Sequence, residues 1–166
     1  MDFYGFFRQA NFFSYQFKQD EPISASTTQA GIVSIDFSRP GYEVEYRYDF
    51  SNNNYFRSLS GDPHLDAESQ KQLTAKNIVV QFVEVTPVPN DPLLKVDIKL
   101  LGQGKAVVFQ DGKIIEGTWI KSIDNPTRFF DSFGREVQFN RGPIWIELVP
   151  EDKEAQFNWQ SLELLS

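Results

Sequence analysis

Residues 42–50 read Tyr-Glu-Val-Glu-Tyr-Arg-Tyr-Asp-Phe. Tyr42, Val44, Tyr46, Tyr48 and Phe50 fall on one side, and Glu43, Glu45, Arg47 and Asp49 on the other. A strict period of two, aromatic and β-branched against charged, is the pattern of a strand with one dry and one wet face. The preceding run repeats it, with Val33, Ile35 and Phe37 sharing a face. Between them Arg39-Pro40-Gly41 has turn chemistry, so the two runs predict an antiparallel hairpin.

Working outward, residues 78–85 are apolar on both faces except for Gln81 and Glu84, which predicts a central strand covered on both sides. Leu94, Val96, Ile98 and Leu100 alternate with Lys95, Asp97 and Lys99. Gly102 and Gly104 then interrupt the run as a bulge or a close backbone approach. Asp111-Gly112 between two apolar runs is a hairpin turn. Residues 131–134 form a second turn, between 127–130 and 136–139, and residues 140–143 a third, leading into a strand over 144–149. Asp66 is placed to cap a short helix through Leu73, with Glu68 favourable in its first turn. Strands at this spacing predict a mainly β protein, α+β only by that one short helix, with an antiparallel barrel-like or sandwich architecture. The expected boundaries are 1–31 as a truncated or linker segment, 32–150 as the β domain and 151–166 as a C-terminal tail.

The chain has 166 residues, no cysteine, one histidine and one methionine. That excludes disulfides, thiolate zinc sites, iron–sulfur clusters and cysteine nucleophiles, and any site built from two histidines of one chain. Sixteen basic against 23 acidic residues leave a net charge of −7, which argues against nucleic acid as the main partner. No apolar run approaches the length of a membrane span. The first twenty residues are dense in phenylalanine but lack the basic and small-residue features of a signal peptide. They read as part of a chain cut from a longer protein. Phe3, Phe6, Phe7, Phe12 and Phe13 are then expected to pack on a second copy or to stay exposed, which makes a homodimer an expectation.

For chemistry, the run Gly61-Asp62-Pro63-His64-Leu65-Asp66 stands out. A lone histidine between carboxylates can be oriented and made more basic by them. Tyr48-Asp49 and Tyr55-Phe56-Arg57 precede it, so His64, Asp66 and Asp49 are the catalytic candidates and Arg57, Tyr48 and His64 the ligand-binding ones. The competing reading is structural: a turn at Asp62-Pro63, a cap at Asp66, and His64 bonded to backbone. No metal site is assigned, because Asp62, Asp66, Glu68 and Asn52 to Asn54 lack the spacing of a calcium loop. No cofactor is assigned either, because Gly102-Gln103-Gly104 lacks the third glycine and following helix of a dinucleotide site. Asp131-Ser132-Phe133-Gly134 is a hairpin turn rather than a kinase motif. Glu147 and Glu151 straddle Pro150 and form no recognisable glycosidase pair. Trp119 and Trp145 sit in apolar strands, as core residues or, if exposed, glycan platforms.

Several runs together resemble the second half of the YerB-like family, whose members are described as lipoproteins of Gram-positive and related bacteria. They are Tyr46-Arg47-Tyr48-Asp49, Tyr55-Phe56-Arg57, Gly61 to Asp66 and Ala75 to Gln81. They continue with Gly102 to Ala106, Asp111-Gly112-Lys113, Gly117-Thr118-Trp119, Phe129 to Gly134 and Gly142 to Ile146. Gly142-Pro143-Ile144-Trp145 replaces a more usual Gly-x-Thr-Trp, which argues against a catalytic threonine there. The resemblance covers residues 30–150 and implies an extracytoplasmic protein, membrane-anchored through a lipoprotein signal absent from this chain, with an N-terminal domain of the same protein as partner. It implies no activity. The function expected is a non-enzymatic binding or scaffolding domain of the cell envelope, with a cell-wall component or envelope protein as partner. The alternative is an envelope hydrolase or small-ligand site centred on His64 with Asp66, Arg57 and Asp49.

Overall fold

The hairpin expected around residues 42–50 forms, and the rest of the sandwich is laid against it. A computed structural model describes residues 13–21, 31–37 and 41–160, and among these described residues there are fifteen strands. In chain order these are β1 (Gln16–Lys18), β2 (Ile32–Ile35), β3 (Val44–Asp49), β4 (Asn54–Leu59), β5 (Asp62–Pro63), β6 (Thr74–Ala75), β7 (Asn77–Val83) and β8 (Val85–Pro87). They continue with β9 (Val96–Ile98), β10 (Gly102–Gln110), β11 (Lys113–Lys121), β12 (Arg128–Asp131), β13 (Gln138–Asn140), β14 (Ile144–Pro150) and β15 (Phe157–Gln160). β2 and β3 pair antiparallel from Ile35↔Val44 to Ile32↔Arg47. Val44, Tyr46 and Tyr48 are buried, whereas Tyr42 and Phe50, beyond the two ends of β3, are 57% and 50% exposed.

Two sheets face each other. The first has strand order β15-β2-β3-β4-β5, with β6 also on β4; the second runs β12-β11-β10-β7-β14. Val33, Ile35, Tyr46 and Tyr55 of the first meet Ile78, Val80, Phe82 and Phe109 of the second. Phe157 closes this layer edge-on, its ring 5.9 Å from Phe82 and 5.8 Å from Phe109. The other face of β7 packs Val79 and Val83 with Val108, Trp119, Phe129 and Phe139. That second core is roofed by Tyr15 and by β1, which pairs parallel with β13. All seven residues of β7 are therefore buried, as its two-sided apolar run requires. The architecture is an open sandwich, not a closed barrel.

The Asp111-Gly112 hairpin forms with nine paired positions, and its two turn residues hold φ of 54° and 62°. Positive φ at both is what lets a two-residue turn follow the strand twist. At Gly104 the close approach is real. An added Cβ would lie 2.6 Å from Trp119 Nε1 and 3.0 Å from the Phe82 carbonyl oxygen, which itself accepts the Trp119 indole N–H at 2.7 Å.

Three expectations are corrected. No helix spans 66–73. Ser69 N donates to Asp66 Oδ1, Gln70 adopts φ 56° and Leu65 bridges Gln72, so the chain reverses after one turn. The reversal wins because Arg57 of β4 takes both arms, His64 N donating to Arg57 O and Arg57 N to Leu73 O, while Leu73 N donates to His64 O between them. The turn at 140–143 does not fold β14 back onto β13. Lys76 N and Asn77 N both donate to Pro143 O, and the Asn77 amide pairs with the Asn140 backbone, so β14 runs parallel to β7 from Ile144↔Asn77 to Pro150↔Val83. Residues 151–160, read as tail, hold a 3-10 segment (Glu151–Gln156) and β15, which pairs with β2. Phe3, Phe6, Phe7 and Phe12 lie outside the described residues; Phe13 is 47% exposed.

Gly104→Ala should push the Trp119 indole off the Phe82 carbonyl and lower stability by about 2–3 kcal/mol. Urea denaturation followed by tryptophan fluorescence reads this, and an unchanged midpoint would refute the close-approach account.

Candidate functional site

On β4 the inward side chains are Tyr55 and Arg57, so alternation drives a guanidinium into an apolar interface. Arg57 is 7% exposed. The facing strand supplies the counter-charge: Trp145, Glu147 and Val149 of β14 point to the same layer, and Glu147 is 9% exposed. Arg57 Nη2 lies 3.5 Å from Glu147 Oε1. Arg57 Nε donates to the Tyr46 hydroxyl at 3.1 Å, and that hydroxyl donates to Glu147 Oε1 at 2.5 Å. The guanidinium carbon sits 4.4 Å from the Trp145 ring centroid. Burial and then the Glu147 charge push the Tyr46 hydroxyl far above its ordinary pKa, so it stays a donor.

His64 joins this cluster from the β4 edge. Arg57 Nη1 donates to His64 Nδ1, and the imidazole lies 6.3 Å from the Trp145 ring. In a catalytic dyad a carboxylate accepts from that nitrogen and leaves the other lone pair to act as base. Here the nitrogen accepts from a cation. Of the five residues singled out by sequence, Arg57 and His64 meet and the others lie elsewhere. Asp66 Oδ1 accepts the Ser69 amide and hydroxyl at 2.7 and 2.8 Å, and those bonds hold its carboxyl below the ordinary range. Asp49 caps the next turn, accepting Ser51 N and Asn52 Nδ2. Tyr48 donates to Asn53 Oδ1 at 3.0 Å and packs its ring 4.8 Å from Tyr55. Sequence reasoning missed Tyr46, Trp145 and Glu147. The signal was available: in Ile-Trp-Ile-Glu-Leu-Val, Glu147 shares the face of Trp145 and Val149.

Tyr48 and Asn53 lead to a second buried centre. Asp111 is 2% exposed at its hairpin tip. Its carboxylate accepts Lys18 Nζ at 2.5 Å, and Asn53 Nδ2 and Asn140 Nδ2 at 2.7 Å each. Burial pushes the Asp111 carboxyl up, but these hydrogen bonds together outweigh it and hold it below its ordinary value. The centre thus ties three turns and the β1 segment together. Among the described residues no group of three or more acidic or histidine side chains is arranged to hold a metal ion.

A further concavity lies outside both centres. A groove of about 800 Å³ runs past Ile114, Ile115 and Glu116 of β11, between Trp159 and the 131–135 turn. Trp159 is 38% exposed and backed by Phe157 at 5.3 Å; Phe133 is 81% exposed. Arg135 binds Asp131 Oδ2 through Nε at 2.8 Å and Nη2 at 2.7 Å while covering the Phe133 ring at 5.1 Å.

The sequence pattern of a known family, described as "Protein of unknown function (DUF3048) C-terminal domain", matches residues 33–146. The chain belongs to this family. Over 108 residues, 65% of its length, it is 33% identical to the Bacillus subtilis protein named "Putative lipoprotein YerB". The crystal structure of YerB protein from Bacillus subtilis superposes with a TM-score of 0.68 and 27% identity over 83% of this chain. The chain spans 31% of the first relative and 44% of the crystallised one. The family match includes Arg57 and His64 of the buried cluster, along with Asp111, Asn140 and Trp145.

Glu147→Ala should leave the Arg57 charge buried and unpaired, costing about 3–5 kcal/mol in chemical denaturation. Arg57→Met combined with Glu147→Leu should recover most of that loss, and an additive double mutant would contradict the pairing.

Asp111→Asn should be less stable than wild type at neutral pH. A depressed native carboxyl contributes stability that is complete above the unfolded value of 3.8 and lost as pH falls through the native one. The gap between the two proteins should therefore hold above pH 3.8 and close below it. Urea midpoints across that range check the sign.

Proposed function

We propose that this domain is a non-enzymatic binding or scaffolding module of the cell envelope, held outside the cytoplasmic membrane. The observation that carries the reading is the open groove beside Trp159 and Phe133. It falls in the size range of ligand sites and mixes aromatic faces with a few polar groups. The lipoprotein name of the Bacillus subtilis relative supports the location. The buried polar clusters support the non-catalytic part. Arg57 and Glu147 are closed into the layer between the sheets, and Asp66 and Asp49 are engaged in their own turns.

The binding partner under this reading is a cell-wall component, with the aromatic faces stacking on it and Glu116 and Ser132 offering hydrogen bonds at the rim. The hydrolase alternative would need His64 to act as base with Asp66 or Asp49 orienting it, and neither carboxylate is hydrogen-bonded to the ring.

Wild-type protein should co-sediment with purified Bacillus subtilis cell walls, and Trp159→Ala with Phe133→Ala should weaken retention about three- to tenfold, the worth of one or two aromatic contacts. His64→Ala should leave retention unchanged. Release of soluble wall fragments that disappears in His64→Ala would overturn the reading.

A further inference from the structure

β8 and β9 form a two-stranded ribbon that belongs to neither sheet. Its rungs run from Lys99 N to Glu84 O, through Val85↔Ile98, Thr86↔Asp97 and Pro87↔Val96, to Val88 N on Lys95 O. Five rungs, four intervals, reach about 14 Å at the usual strand rise. Beyond them lies a tip over 89–94. Leu93 and Leu94 at the tip are 73% and 74% exposed, and Val96 and Ile98 on the shaft are 48% and 41% exposed. Leu94 also holds φ 53°, a left-handed conformation that a side chain with a Cβ adopts only against steric resistance. Exposure and a left-handed backbone meet at one leucine, in a turn closed by Leu94 N on Asp91 O, a combination that marks functional tips.

We propose that this ribbon is a membrane-contact finger whose leucine tip enters the interfacial region of a lipid bilayer. This rests on the envelope location proposed above and assigns the site nothing of the wall-binding groove. Charge favours a bilayer over a charged partner. The chain carries −7, but the ribbon, residues 84–99, holds three acidic and two basic side chains and carries only −1. Lys95 pairs with Asp91 at 3.5 Å and Lys99 with Glu84 at 2.8 Å, so four of the ribbon's five charges are neutralised within it. Shape favours it too: adjacent leucines on a convex tip suit a fluid apolar layer, whose reach from the headgroups is about 5–10 Å. Pro87, Pro89 and Pro92 carry no amide donors, which weakens the ribbon as a template for pairing with another strand.

The test is co-sedimentation of the full chain with phosphatidylcholine vesicles and with vesicles that also contain phosphatidylglycerol. Wild type should partition to both, with little dependence on salt. Leu93→Asp with Leu94→Asp should lower partitioning at least about tenfold without moving the thermal unfolding midpoint, since neither leucine is buried. Trp159→Ala should partition as wild type, which separates this site from the groove. Wild type remaining in the supernatant, or the double variant binding equally, overturns the proposal. So does binding only to the anionic vesicles that salt abolishes, or a dimer in sedimentation velocity that the double variant dissolves.

Discussion

A guanidinium set into the apolar layer between two sheets is the constraint around which this domain is arranged. Strand alternation puts Arg57 inward, and a charge there is tolerated only with a partner and with its donors engaged. Glu147, Tyr46, His64 and the face of Trp145 meet that demand together. The consequence is positional. Glu147 reaches Arg57 only when β14 lies beside β7 with Glu147 level with Val80. A slip of one residue would turn Glu147 out of the layer and bring Ile146 or Leu148 in, stranding the cation. The pair therefore reports, and penalises departure from, a single register.

The Asp111 centre plays the same part at the edge. Hairpin tips usually face water, yet this one carries its carboxylate inward, where turns from both sheets and the β1 segment converge on it. The Arg57 and Asp111 clusters are thus committed to joining elements, and the features open to other molecules are on the surface: an aromatic groove beside β15 and an apolar ribbon outside both sheets.

What could be read from sequence was what depends on near neighbours. The alternation of residues 42–50, the two-sided apolar run of β7 and the Asp-Gly turn are each written within ten residues, and each has its expected form. Gly104 signalled a close approach, though not that the visitor would be Trp119. What could not be read depends on distant partners. The stretch 66–73 has a helix-capping residue, but Arg57's carbonyl and the Leu65–Gln72 bridge favour a reversal. The parallel placement of β14 hinges on Asn77 and Pro143, which no local periodicity links. At the candidate site, Arg57 and His64 were adjacent enough in sequence to be grouped. Glu147 was seen only as a neighbour of Glu151, because the strand opposite Arg57 is ninety residues away.

The parallel pairing of β7 with β14, and the antiparallel pairing of β2 with β15, have a consequence in time as well as space. The central strand gains its second neighbour only when the last quarter of the chain is available, and the first sheet gains its outer strand later still. Contacts so remote in sequence are closed late and slowly, in the millisecond-to-second range typical of β topologies of high contact order. Until then β7 presents an apolar edge to its surroundings. A chain of this design stays open for longer than a meander of the same length would, which makes its folding sensitive to whatever binds extended apolar strands before the Arg57 layer shuts.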